Sequence, residues 1–260
     1  MRTRLFLPGI FIFFFTTLIA QIKKAPEKKE GEGPYTQLII RGVILINGTG
    51  APPFGPVDIV IEKNRIMQIA GSADKTKLQQ GGKELDCKGM YVIPGLIDMH
   101  GHIGGEAQGT PAEYVFKLWM AHGITTIRDS GTLNGLGWTL DEKRLSAENK
   151  ITAPRIFAYT IFGQGANQPI ITAKQAVEWT RENAKKGADG IKFFGAVPQV
   201  MDAAIRENKK LGLRSCCHHS QTEVARWNVL NSARAVYGTL VWFTRGVVHE
   251  QNYPGLSAEL

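Results

Sequence analysis

Two hydrophobic rhythms divide the chain. Between Tyr35 and Tyr91 the apolar residues fall in short, β-branched runs, "QLIIRGVILI", "VDIVIEKNRIMQIA" and "KELDCKGMYVI", separated by "NGTGAPPFGP" and "QQGG". Runs bounded by Gly, Pro and Asn predict strands. Residues 35–93 therefore read as a small, β-sandwich-like domain that packs on the larger domain C-terminal to it. After Pro94 strand and helix patterns alternate. A strand near Leu96–His100 leads to "GTPAEYVFKLWMAHG", where Thr110 and Glu113 predict a capping box, Pro111 the first helical position and Gly123 the stop. Next come the strand "ITTIRDS", a helix around Thr139–Asn149, the strand "PRIFAYTIF" and a helix capped by Thr172 and Gln175. The strand "ADGIKFF", a helix with Met201, Ile205 and Asn208 on one side, the strand "LRSCCHH" and the helix "QTEVARWNVLNSARA" complete the alternation. Repeated βα units build a parallel sheet, so the fold class is α/β and a (β/α)8 barrel over residues 94–235 is the leading architecture.

The first 34 residues obey neither rhythm. Arg2 and Arg4 precede an apolar stretch from Leu5 to small Ala20, the layout of a secretory signal peptide at residues 1–20. The stretch is short for a spanning helix and is broken by Pro8 and Gly9. This predicts a secreted or periplasmic protein that meets a membrane only through the signal segment. The charged run 21–34 reads as a linker.

Composition narrows the classes. The chain is 43% hydrophobic and 21% charged, which is globular rather than disordered. Its formal charge of +8 is scattered, with no basic stripe interleaved with aromatics, so nucleic acid is not an expected partner. Cys87, Cys216 and Cys217 are too few and too poorly spaced for a disulfide framework and read as buried thiols.

The chemistry gathers where strands end. In "VIPGLIDMHGHIGG" an apolar strand closes on Asp98, His100 and His102 at alternate positions, which in regular β-structure project to one side. Two imidazoles side by side at a strand end make half of a metal site, with Asp98 a hydrogen-bonding neighbour rather than a ligand. In the fourth barrel strand Ile191 and Phe193 suit the helix-covered face, which turns Lys192 inward. A buried lysine is costly unless neutralised or paired. In the fifth strand Arg214, Cys216 and His218 share a face, while neighbouring His219 points toward the helices. Arg128 and Asp129 come after the second strand and read as brackets of a loop.

These pieces resemble the amidohydrolase superfamily, in which a PGLID run precedes an HxH metal pair. "GITTIRDSG", "GADGIKFF" and a histidine on the fifth strand come next in order. The pattern is most similar to the secreted branch near imidazolonepropionases and Xaa-Pro and Xaa-Arg dipeptidases. The resemblance implies that His100 and His102 bind one divalent metal, that Lys192, carboxylated by CO₂, bridges to a second, and that His218 binds that second metal. Two zinc ions suit such ligands. It further implies attack by a metal-activated hydroxide on an amide-like C–N bond of a small-molecule or dipeptide-like substrate. A mononuclear deaminase of the same superfamily would need no bridging lysine.

The family pattern also expects an SxEH-like run after a sixth strand and a proton-shuttling Asp after the eighth, and neither is present. A complete barrel takes about 250 residues, so the reading is an incomplete barrel of about five βα units, with an aberrant tail at 236–260. Read one base later with suitable synonymous codons, Val236 to Val248 spells SMEHWYGLPEALF, which contains the missing run. A frameshift near codon 235 is therefore expected, and His249 receives no role. The chain as written is expected to turn over negligibly, the alternative reading being a non-catalytic fragment or pseudoenzyme that retains partial metal binding.

Overall fold

A computed structural model describes residues 22–72, 76–104 and 109–217. The signal segment, His218, His219, the fifth helix and the tail lie outside the described residues. No helix among the described residues is long and apolar enough to cross a membrane.

The first sheet is built around β1 (Gln37–Leu45). β2 (Phe54–Glu62) pairs with it antiparallel, and β3 (Arg65–Gly71) pairs with β2 in the same sense. β4 (Lys83–Asp86) and β5 (Tyr91–Val92) lie one after the other in parallel register with β1. The register of β1 slips between Ile40 and Val43. Gly42 makes that irregularity possible: its φ is +72°, and a Cβ there would lie 2.7 Å from Lys88 Cγ. The N–H it frees is not lost, because Asp58 accepts it at 3.0 Å. Val43, Leu45, Val57 and Ile59 form the core of this sheet.

The second sheet is wholly parallel, in the order β10-β9-β8-β7-β6. Its strands are β6 (Leu96–Gly101), β7 (Ile124–Ser130), β8 (Arg155–Ile161), β9 (Gly190–Phe193) and β10 (Arg214–Cys217). Helices α1 (Ala112–Ala121), α2 (Leu136–Ala147), α3 (Ala173–Lys186) and α4 (Pro198–Lys210) connect them. Phe116 of α1 and Trp138 of α2 bury Ile127 and Ile156, while Trp179 of α3 and Met201 and Ile205 of α4 bury Ile191 and Phe193. The sheet is strongly curled. β7 and β10 are three strand spacings apart, roughly 14 Å if flat, yet Ser130 Oγ and Cys216 Sγ lie 3.2 Å apart.

Local signals hold in some places and yield in others. Thr172 and Gln175 form the expected capping box of α3, and Gly187 closes that helix at φ +103°. At α1 the cap position is taken by Pro111 instead of Thr110, without a side-chain cap bond. Glu113 there is drawn to Lys117 at 2.7 Å. α2 begins three residues before the expected Thr139, where the turn closed by Gly135 N–H on the Thr132 carbonyl launches it. Cys216 and Cys217 are buried as expected, but Cys87 is only half-buried.

Residues 22–34, expected as a linker, carry no regular secondary structure but lie against the barrel helices. Ile22 and Ala25 enter the core beside Phe116 and Trp138. Ala25 N–H donates to Glu142 at 3.3 Å, Lys24 pairs with Asp141 at 2.5 Å and Glu30 with Lys117 at 2.8 Å.

Candidate metal centre

The His100 and His102 rings meet at 5.0 Å between centroids, 74° from parallel, at the C-terminal end of β6. Simple alternation does not produce this arrangement, because the β6–β7 ladder slips between Asp98 and Gly101. The slip lies where the chain presses on α1: a Cβ on Gly101 would stand 2.8 Å from Trp119 Cζ2. Asp98 turns its carboxylate onto the backbone, accepting the His100 N–H at 2.9 Å. It acts as a hydrogen-bonding group on β6, the strand that carries His100 and leads directly into His102.

The loop beyond His102 is clamped from β7 and the turn after it. Ile103 N–H donates to Asp129 Oδ1 at 3.4 Å, and Asn134 Nδ2 donates to the Gly104 carbonyl at 2.8 Å. Thr139 of α2 donates to the other Asp129 oxygen at 3.3 Å. Burial pushes the Asp129 carboxyl up to about 7, against the opposing pull of its two donors, Ile103 N–H and Thr139. Asp129 and Arg128, read from sequence as brackets of a loop, are in fact 2% and 4% exposed. The alternation that turned Lys192 inward was also legible here: Ile127 packs against the helices, so Arg128 faces the other way.

Lys192 is fully buried, with Ile191 and Phe193 on the helix side as the pattern predicted. Its Nζ has no hydrogen-bond partner and lies 5.5 Å from the Phe194 ring centroid. Burial is the main cause that lowers its pKa; the nearby Cys216 and Cys217 oppose the shift and the Arg128 charge adds to it. Arg128 sits 5.1 Å from the Tyr159 ring centroid, and its Nε and Nη2 have no hydrogen-bond partner.

The structure thus brings His100 and His102 together and places Lys192 in the same curled sheet, with β7 and β8 between their strands. His218 lies outside the described residues. Among the described residues no three His, Cys, Asp or Glu side chains converge on one point. The donor chemistry nevertheless suits a divalent ion: two adjacent imidazoles, and one sealed amine lacking a partner.

No family model matches the chain. It is 30% identical over 128 residues to adenine deaminase 2 of Rhizobium etli, covering 46% of this chain and 20% of the relative. It is 31% identical over 108 residues to N-acetylglucosamine-6-phosphate deacetylase of Lysinibacillus sphaericus, covering 42% of this chain and 26% of the relative. A solved Xaa-Pro dipeptidase with methionine bound in its active site superposes with a TM-score of 0.57 at 22% identity, over 76% of this chain and 59% of the other. Molinate hydrolase gives 0.59 at 17%, over 76% and 56%. The chain spans 20% and 26% of the length of those two sequence relatives. The solved neighbours define the fold class, a parallel α/β barrel sheet preceded by a small β-domain. Motif order, strand order and these likenesses agree with the resemblance to the amidohydrolase superfamily.

Proposed function

We propose that the protein is a metal-dependent hydrolase of C–N bonds in small, amide- or dipeptide-like substrates, with His100, His102, Lys192 and His218 holding up to two divalent ions, zinc by donor type. The observation that carries this reading is the sealed, unpartnered Nζ of Lys192 in the barrel sheet that also presents the paired imidazoles. A lysine so placed costs stability unless it is converted to something else, and the free amine favoured by burial is the form that takes up CO₂. Bound metal would supply Lewis acidity toward a carbonyl and acidify water. The chain's own residues then have separate tasks. His100 and His102 hold the ion through ring nitrogens, Asp98 fixes the His100 backbone, and Asp129 with Asn134 hold the loop beside His102.

Zinc binding to the purified chain tests this reading. We expect retention of metal after dialysis, approaching about two ions in an intact binuclear site, and its loss in His100→Ala and His102→Ala. Equal metal content in the wild type and both variants would sink it. Stoichiometry below one ion in wild type would favour the non-catalytic alternative. A second reading, deamination of an aminated heterocycle, is favoured by the likeness to adenine deaminase 2. It also cleaves a C–N bond but needs no bridging lysine, so Lys192→Gln should leave the metal content of a mononuclear deaminase site unchanged and lower that of a binuclear one. Export through residues 1–20 completes the proposal, supported by Arg2, Arg4 and the apolar run that ends at Ala20.

A further inference from the structure

Two cationic side chains lie buried in the barrel sheet, and among the described residues neither meets an anion. Arg128 is 4% exposed and Lys192 fully buried; Nε and Nη2 of the first and Nζ of the second lack hydrogen-bond partners. Nε and Nη2 share one edge of the guanidinium, the edge that matches a carboxylate with two parallel bonds. Both nitrogens are sealed from solvent. A substrate carboxylate would therefore have to reach atoms that water does not reach, and the acceptor has to come from inside the protein.

Among the described residues, the surroundings of Arg128 contain a group that can become that acceptor, Lys192. Its guanidinium covers the Tyr159 ring at 5.1 Å, and Tyr159 pairs across the sheet with Gly190, two residues before Lys192. The Lys192 stem passes over the end of β7, since a Cβ on Gly131 would lie 3.5 Å from Lys192 Cγ. Ser130 and Cys216 close the same interior from β7 and β10. None of these neighbours is a carboxylate.

We propose that Arg128 is the positioning residue for a carboxylated Lys192, its Nε–Nη2 edge donating two parallel hydrogen bonds to the carbamate. The inference rests on the role proposed above for Lys192. In the step, the Nζ lone pair of the free amine attacks the carbon of CO₂ and the new C–N bond forms. One C=O π pair moves onto oxygen, and an Nζ proton leaves to solvent; nothing is oxidised or reduced. The side chain passes from a neutral amine to an anion, so the sealed Arg128 charge gains an ion-pair partner. A carboxylate carries about four acceptor directions, so two bonds from Arg128 leave directions open toward a metal.

The test uses the full 260-residue chain equilibrated with ¹³C-bicarbonate and read by ¹³C NMR for a protein carbamate, with circular dichroism to confirm folding. We expect a carbamate resonance in wild type and none in Lys192→Gln. In Arg128→Gln it should fall on the order of tenfold, the loss of charge-assisted bonds to an anion. Arg128→Lys, which keeps charge but not the fork, should recover only part of it. Equal labelling in wild type and Arg128→Gln overturns the role of Arg128 while leaving Lys192 as a carbamate. Absence of the resonance in wild type overturns both. If Arg128→Gln does not fold, Arg128→Lys carries the comparison, and full labelling there overturns the inference.

Discussion

Among the described residues, Arg41 and Arg128 are inward-turned arginines in opposite circumstances. In the N-terminal sheet Arg41 is paired with anions: Nη1 donates to Asp58 at 2.7 Å, Nη2 to the Thr76 carbonyl at 2.7 Å and to Glu84. Asp58 is saturated in turn, accepting also from the Gly42 N–H at 3.0 Å and Ser72 Oγ at 3.1 Å. In the barrel sheet Arg128 is more deeply buried and has its bidentate edge unmatched. A charge that only supports a fold is paired within the fold, because an unpaired one costs several kcal/mol. A buried charge left without its anion marks a place where chemistry supplies one. The small sheet keeps its buried charge paired, whereas the curled sheet leaves one unmatched where the chemistry is proposed.

The contrast breaks most visibly at Asp58. Asp58→Ala strands Arg41 and the Gly42 N–H, and should cost about 3 kcal/mol in chemical denaturation. A loss below about 1 kcal/mol would mean that the Arg41 network behaves as a surface pair and the comparison has no force.

Asp129 gives the next largest effect, through pH. Its folded carboxyl, lifted by burial to about 7, lies above the ordinary value of 3.8. Between those values the folded state holds the proton more firmly than the unfolded state, so stability falls as pH rises from about 4 to about 7 and is flat above. Asp129→Asn keeps an acceptor for the Ile103 N–H without the charge. The difference in unfolding free energy between the two proteins should therefore shift toward the variant across that window, on the order of 2 kcal/mol after relaxation of the site. A pH-independent difference would show that Asp129 titrates normally.

Arg128 should respond with the opposite sign to Asp58. In CO₂-free buffer Arg128→Met removes a sealed, half-matched charge and leaves an apolar stem, so stability should rise by about 1 kcal/mol. With CO₂ present the gain should shrink, because the wild type then holds its anion. A loss of several kcal/mol in both buffers would mean that Arg128 is paired like Arg41.

Much of this was legible because periodicity is a local property. The strand–helix alternation, the Thr172 box and the inward turn of Lys192 arise from residues within one element of each other. Arg128 was legible by the same rule, but polar residues closing a strand resemble the start of a loop. Other features depend on residues far apart in sequence. The 22–34 segment looks like a charged linker; only Glu142, Asp141 and Lys117, about a hundred residues away, turn it into a docked strap. The Thr110 cap was overridden in similar fashion, since Lys117 collects Glu113 together with Glu30 of that strap. The slip in β6 coincides with the close approach of Gly101 to Trp119, a contact that strand alternation cannot report.

The smallest expected effect sharpens the comparison within a single sheet. All four residues of β9 are buried, flanked by β8 and β10 and covered by α3 and α4. β6 is paired only with β7 among the described residues, and Ile97 there is 58% exposed. A side chain that stays in water gains little from folding, so Ile97→Thr should alter stability by less than about 0.5 kcal/mol. Phe193→Ala on β9, by contrast, leaves a cavity and should cost about 3–5 kcal/mol. Measured side by side, the two variants ask whether β6 is held by its own burial or only by its neighbour. A cost near 2 kcal/mol at Ile97 would show that β6, which carries His100 and leads into His102, is covered in solution, and the pairing of the two histidines would then rest on a packed layer rather than on the β7 ladder and the Asp129 clamp.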